Sequence, residues 1–209
     1  MDFGWTDEER MWRKAVHDFA QKKIAPRVRE IDDTSNIPQD IIKAMADMGL
    51  WAPTVSEKYG GSGLNVTMAT IAAEELGRAD ISLALPVMYL VQASWAFVFE
   101  RCASEALKAE LLPQVTAGKQ FLGIASTEAG GGSDIEGVTR CTGTKQPDGS
   151  WILDGEKLYI SGIKESERMG GAYMTLVRTD PQAGHKGFTF FAVNIKDNPK
   201  VSTTLIHNW

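Results

Sequence analysis

The sequence predicts an α+β chain in two parts: an all-helical part over residues 1–120, followed by an all-β part over residues 121–209. The main observation is a change of period. Up to about residue 120, apolar side chains recur every three or four positions, as on one face of a helix. Beyond it they fall into short runs of β-branched and aromatic residues divided by Gly, Asp and Pro. Composition supports this, since 43% of the 209 residues are hydrophobic, which is enough to bury a core. No internal repeat or low-complexity linker is visible.

The helical part starts with Thr6-Asp7-Glu8-Glu9, which reads as a capping box. Trp12, Val16, Phe19, Ala20 and Ile24 continue at helical spacing and predict one long amphipathic helix over 6–33. Pro38 in a first turn, the stripe Ile41, Ile42, Met45 and Met48, and Gly49 after the last turn mark a second helix. Glu57-Lys58-Tyr59-Gly60-Gly61-Ser62-Gly63-Leu64 holds too many glycines for a regular element and is expected to be a loop. Helices resume over 66–77 and 80–100, with Pro86 near the start of the latter, and a short one ends at Leu111-Leu112-Pro113. In the β part, strands are expected at 121–125, 138–144, 151–153, 172–178, 187–193 and 201–206, with turns such as Pro147-Asp148-Gly149. Six strands so spaced suggest a barrel or a sandwich.

Charge and cysteine content narrow the function classes. Lys and Arg number 22 against 27 Asp and Glu, a net charge of −5. A nucleic-acid binder needs clustered cations to neutralise phosphates, so that class is set aside. The lysines at 22, 23, 196 and 200 stand among acidic residues and read as solvated faces. Cys102 and Cys141 form no CxxC pair and are too few for a disulfide framework, which suits buried thiols in a reducing compartment. The first residues are acidic where a signal or transit peptide would be basic, and no apolar run is long enough to span a membrane. The expectation is a cytoplasmic protein without a membrane partner. His17, His185 and His207 lack ligand-spaced neighbours, so no metal site is expected.

The segment Ser126-Thr127-Glu128-Ala129-Gly130-Gly131-Gly132-Ser133-Asp134 carries the chemistry. Consecutive glycines let main-chain N–H groups face a concavity and remove the Cβ atoms that keep a flat ring at a distance. Ser126 and Thr127 add hydroxyls that can donate to carbonyl or ring-nitrogen acceptors. Taken alone, the segment reads equally well as a plain turn between strands. It is not a dinucleotide fingerprint, because the GxGxxG spacing is missing, and not a P-loop, because no Lys-Ser/Thr follows. Some 20 residues on comes a second segment, Trp151-Ile152-Leu153-Asp154-Gly155-Glu156-Lys157-Leu158-Tyr159-Ile160-Ser161-Gly162.

Together the two segments resemble the flavin-binding middle domain of the acyl-CoA dehydrogenases. Thr127, Glu128, Gly132, Ser133, Asp134 and Gly137 match that family's first motif; Gly155, Lys157, Ile160 and Ser161 match its second. Tyr59-Gly60-Gly61-Ser62-Gly63-Leu64, Glu74-Glu75-Leu76-Gly77-Arg78, and Leu112-Pro113 before Gly118-Lys119 follow the family's order, so the resemblance covers nearly the whole chain. It implies a helical N-terminal domain followed by an antiparallel, β-barrel-like middle domain that is incomplete at its C-terminal end.

The resemblance also implies FAD as cofactor. Ile124, Ala125, Ser126 and Thr127 would run along the flavin ring, and Gly132 would lie in the turn beside it. Ser133 would hold the flavin phosphate region and the CoA arm of the substrate. Ser161, with Ile160 beside it, would reach the ring edge where hydride arrives. Tyr159 stands where the family usually has Trp, and Asp154 where it has Asn. Val87, Tyr89, Leu90, Val91 and Trp95 read first as core; the resemblance makes Val87, Leu90 and Val91 candidates for acyl-chain selection.

The implied reaction is α,β-dehydrogenation of an acyl-CoA thioester, with an electron-transfer flavoprotein as acceptor and a homo-oligomer, tetramer or dimer, as the complete enzyme. Glu128 and Asp134 are read as braces for the loop, so the catalytic base is expected beyond Trp209, in another part of a longer or split enzyme. Acyl-CoA oxidase, enoyl-CoA reductase and flavin monooxygenase chemistry share these motifs. A non-catalytic subunit or scaffold is the alternative of another class.

Overall fold

A computed structural model describes residues 4–206. The chain divides into two compact units, Met1–Phe121 and Leu122–Trp209.

The first unit is helical. Thr6 and Glu9 close the expected capping box: the Thr6 N–H donates to Glu9 Oε2 at 2.8 Å, and the Glu9 N–H to Thr6 Oγ1 at 3.2 Å. Helix α1 runs over Asp7–Phe19. The single helix expected over 6–33 does not form. After Phe19 the chain widens into a π turn over Ala20–Ile24, tightens into a 3₁₀ turn over Ala25–Arg27, and regains α geometry in α2, Val28–Thr34. Pro26 explains the break, because it has no N–H to continue the ladder and its ring crowds the preceding turn. Helix α3, Gln39–Asp47, follows Pro38 and buries Ile41, Ile42 and Met45.

Residues 57–64 form the expected loop, opened by one 3₁₀ turn at Glu57–Tyr59. Helix α4, Val66–Ala79, is capped by the Asn65 side chain. Helix α5, Ala84–Cys102, begins four residues later than expected. Buried Asp80 causes the delay by accepting from the N–H groups of Ser82 and Leu85 and from the Ser82 hydroxyl, which spends those donors on a turn. Helix α6, Glu105–Thr116, passes through Pro113 rather than stopping there. Thr116 Oγ1 then donates to the Tyr59 carbonyl at 2.9 Å and fastens the loop to the end of the helix.

A buried carboxylate joins α1 to α4. Glu75 is 1% exposed and accepts from Arg13 Nε at 2.6 Å; His17 Nδ1 lies 2.9 Å away and Arg78 Nη1 at 3.7 Å. Burial acts to raise the Glu75 carboxyl, but the Arg13 and His17 hydrogen bonds and the nearby guanidinium charges outweigh it and hold the group below its ordinary value. Trp12 Nε1 adds a bond to the Met68 carbonyl at 2.9 Å, and the Tyr89 hydroxyl one to the Ala69 carbonyl at 2.8 Å.

The second unit is a five-stranded sheet of order β1-β4-β2-β3, with β5 also on β4. Its strands are β1 (Phe121–Ala125), β2 (Thr142–Lys145), β3 (Trp151–Asp154), β4 (Gly171–Arg178) and β5 (Phe188–Val193). The β2–β3 hairpin is antiparallel, Thr142 opposite Asp154 and Lys145 opposite Trp151. Its turn is held by Asp148, which accepts from the Ser150 N–H at 2.9 Å and the Ser150 hydroxyl at 2.7 Å. β4 and β5 are antiparallel from Tyr173 opposite Val193 to Arg178 opposite Phe188.

β2 meets β4 in parallel at Thr142 and Arg178, so the sheet is mixed and not wholly antiparallel as expected. The cause is a crossover. Between β3 and β4 the chain passes through the short helix α8, Ile163–Met169, and returns in the direction of β2.

Two strand expectations fail. The run 138–144 is split, because Asp134 accepts from the Gly137 N–H at 2.9 Å and caps a single helical turn, α7, Ile135–Val138, which delays the strand to Thr142. Residues 201–206 form no strand. His207, read above as no metal ligand, lies outside the described residues.

Gly155 sits where β3 leaves the sheet, at φ 143°, and a Cβ there would stand 2.6 Å from Cys141 Cα. Any side chain would be strained in its backbone and would push the two segments apart. Gly155→Ala is therefore expected to lower the melting temperature of the protein, with a cost above about 1 kcal/mol, measured by differential scanning calorimetry.

For the first unit, Glu75→Gln is expected to cost roughly 2–3 kcal/mol at neutral pH in urea unfolding. Because the folded carboxyl lies below its ordinary 4.5, its contribution is present above that pH and lost as pH falls beneath it. The gap between parent and variant is accordingly expected to close in acid; a gap that persists unchanged at pH 3 contradicts the assignment.

Candidate functional site

Strand β1 ends at Ala125 and delivers Ser126, Thr127 and Glu128 to the head of the glycine turn, where Glu128 and Gly131 form an isolated bridge. The Glu128 side chain turns inward and is 7% exposed. Its Oε2 accepts from the Arg140 N–H at 2.6 Å, and its Oε1 from the Cys141 N–H at 3.1 Å and from Lys157 Nζ at 2.7 Å. Lys157 Nζ also reaches the Ser126 carbonyl at 3.4 Å, and one residue on, the Leu158 N–H donates to the Thr127 carbonyl at 2.9 Å.

Three stretches far apart in sequence, around residues 126–131, 140–141 and 157–158, are thus tied at one carboxylate. Burial acts to raise the Glu128 carboxyl, yet the Lys157 ammonium and the two main-chain donors prevail and hold it below the ordinary carboxylate range. Burial pushes the neighbouring Cys141 thiol up. Glu128 and Asp134 both spend their oxygens on main-chain N–H groups, as the reading of them as braces requires.

The other candidates in the second unit flank Glu128 and Lys157 along the chain. Ile124 is half-buried and Ala125 buried, so Ala125 can offer a ligand only its main chain. Ser126 and Thr127 are partly exposed; Gly132 and Ser133 are exposed. A Cβ at Gly132 would meet nothing within 4 Å, so open space lies beside the turn. Ile160 is partly exposed and Ser161 exposed, and the Ser161 carbonyl accepts from the Tyr173 hydroxyl at 2.9 Å. Among the described residues, the hydroxyls of Ser126, Thr127, Ser133 and Ser161 take part in no hydrogen bond. The hydroxyls of Ser126, Thr127 and Ser133, in and beside the open glycine turn, and of Ser161, four residues after Lys157, are of the donor type that suits carbonyl, ring-nitrogen and phosphate acceptors.

Tyr159 is the strained member. It holds φ at 57°, a left-handed value that costs a bulky residue of order 1–3 kcal/mol, and the residue is 73% exposed. Sequence patterning gives no sign of this conformation. Patterning also misses Lys157 as the partner of Glu128; the one available signal is an isolated Lys between Gly155 and the apolar Leu158 and Ile160.

Val87, Leu90 and Val91 lie on α5 in the first unit. The reading of that stripe as core holds for Tyr89, which is fully buried, but not for Val87 and Leu90, which are 39% and 50% exposed; Val91 is partly exposed.

The chain can now be set beside known proteins. The family model of the acyl-CoA dehydrogenase N-terminal domain matches residues 6–119, and that of the acyl-CoA dehydrogenase middle domain matches residues 123–208. The mitochondrial isovaleryl-CoA dehydrogenase of Arabidopsis thaliana is 33% identical over 190 residues, 90% of this chain and 44% of its own length. A glutaryl-coenzyme A dehydrogenase solved with glutaryl-CoA superposes with a TM-score of 0.88 at 28% identity, over 99% of this chain and 51% of that one. A chain in the solved structure of the electron transferring flavoprotein of Acidaminococcus fermentans gives 0.83 at 28% identity, over 95% and 50%. The chain spans about half the length of the relatives it matches. With one family domain on each side of the break at residues 121 and 122, the chain belongs to the acyl-CoA dehydrogenase family.

Proposed function

We propose that this chain holds the flavin and the thioester in an FAD-dependent acyl-CoA dehydrogenase that removes two hydrogens across the α and β carbons of an acyl-CoA. The observation that supports it most is the Glu128 node in the second unit, which ties the stretch at 126–131 to that at 157–158, with the hydroxyls of Ser126, Thr127, Ser133 and Ser161 uncommitted and the glycine turn open. When bound, the flavin supplies the two-electron acceptor for the β hydrogen. The protein's share is alignment. The Thr127 and Ser126 hydroxyls and the main chain from Ile124 to Thr127 would meet the polar ring edge. The Ser161 hydroxyl, with Ile160, would meet the edge facing the substrate. Ser133 beside Gly132 would take phosphate and CoA oxygens, and Tyr159 would present its ring as an apolar wall. Val87, Leu90 and Val91 supply apolar surface suited to an acyl chain.

Glu128 is not assigned as the base. Three donors already occupy its oxygens, and a carboxyl held below its ordinary value is a poor acceptor for a carbon-bound proton. An electron-transfer flavoprotein as acceptor, a homotetramer or homodimer, and a reducing, cytoplasmic setting for the two free thiols complete the reading.

The full-length protein is expected to copurify with a yellow flavin that bleaches when acyl-CoA is added without oxygen. Persistence of the colour across acyl-CoAs of several chain lengths sinks the proposal, and steady oxygen uptake with peroxide formation replaces it with the oxidase reading. Thr127→Ala and Ser161→Ala are each expected to weaken FAD binding about fivefold, read by flavin fluorescence quenching, since each removes one hydrogen bond.

A further inference from the structure

We propose that Glu128 and Lys157 form a positioning pair whose task is to set the register between the 126–134 turn and the 155–161 segment, so that their hydroxyls converge on one ligand. The proposal rests on the flavin reading above. It goes beyond it by assigning a role to two residues that need not touch the ligand.

Three observations carry it. The pair is buried, with side-chain exposures of 8% for Lys157 and 7% for Glu128. Burying two charges costs several kcal/mol per ion, and an apolar pair of similar size would serve stability as well or better, so a role in specifying geometry accounts for keeping the charges. The pair is also saturated on the carboxylate side, where Arg140, Cys141 and Lys157 leave little freedom to rotate. A second bond beside it, from the Leu158 N–H to the Thr127 carbonyl, runs between the same two stretches. Two adjacent bonds fix a register where one would allow a pivot.

The consequence is local and sharp. Ser126 and Thr127 directly precede Glu128, while Tyr159, Ile160 and Ser161 follow Lys157 by two to four positions. A slip of one residue between the stretches would face Leu158 toward the carboxylate and take the Thr127 carbonyl from the Leu158 N–H, shifting every residue that follows, Ser161 included. Tyr159 holds its left-handed backbone in that same short span, and such a conformation persists only where neighbours enforce it. The Gly155 approach to Cys141 anchors the other side of Lys157.

The test uses the full-length protein with Lys157→Met, Lys157→Arg, Glu128→Gln and the double variant Lys157→Met/Glu128→Gln. Two readouts are taken on each variant that keeps its far-ultraviolet circular dichroism: amide exchange of Arg140, Cys141 and Leu158 without flavin, and the FAD dissociation constant with the resolution of the bound flavin's visible bands. Lys157→Met is expected to speed exchange at Leu158 at least tenfold, weaken FAD binding at least tenfold and blur the bands, while Lys157→Arg recovers most of each. The double variant is expected to match the worse single one, because the pair acts as a unit.

Exchange at Leu158 unchanged in Lys157→Met overturns the pair as a register device, whatever happens to FAD. Faster exchange with FAD affinity and bands unchanged overturns its role toward the ligand. Absence of FAD binding by the parent protein overturns the functional reading instead, and the exchange arm separates that outcome from a failure of the pair.

Discussion

A carboxylate removed from water must be answered by donors, and in the second unit Glu128 is answered from three places at once. That requirement organises what surrounds it. The stretch leading into β2 is drawn in because the Arg140 and Cys141 N–H groups are needed, and Lys157 is drawn in because two amides do not neutralise a charge. With those contacts made, the glycine turn has a fixed base on which to be open. The hydroxyls that flank it stay unspent because a different group does the bracing. A loop held by its own serines and threonines would have nothing left to offer a ligand.

The first unit repeats the device for another end. Glu75 is as deeply buried and as well answered, by Arg13 and His17 from α1, but its donors are side chains on a helix face and not main-chain groups of loops. A side-chain network of this kind sets how two regular elements cross. Main-chain donors instead set where irregular segments lie. The difference explains why one carboxylate belongs to the scaffold of its unit and the other to a candidate site.

Much of this was legible in residues with local consequences. Thr6 with Glu9, Pro38 and Gly49 act within one turn of where they stand: the capping box forms and α3 lies where it was read, although the helix begun at Thr6 ends at Phe19. The failures involve competition. Pro26 defeats a helical period that continues on both sides of it, whereas Pro113 is absorbed by α6. Asp134 takes a β-favouring run into a helical turn with one side-chain bond. The parallel contact of β2 with β4 depends on α8, whose seven residues carry too few apolar positions to announce a crossover. The glycine turn was visible in the composition, and only the resemblance singled it out as a candidate ligand loop. Its fastening was not, because Glu128 and Lys157 are 29 residues apart and no period connects them.

The sheet order has a bearing on how the chain is made. β4 borders β1, β2 and β5, so β1, completed at Ala125, has no partner until β4 has emerged some fifty residues later. At about 5–20 residues per second of synthesis, the apolar strand Phe-Leu-Gly-Ile-Ala spends several seconds off the ribosome with its edge open. In the first unit α1 waits about as long for α4, to which Glu75 ties it, but a helix closes its own main-chain hydrogen bonds in the meantime. Birth of the second unit is therefore gated by a late strand, and the interval before that strand arrives is when a nascent chain of this sequence is most exposed to aggregation and most in need of a chaperone.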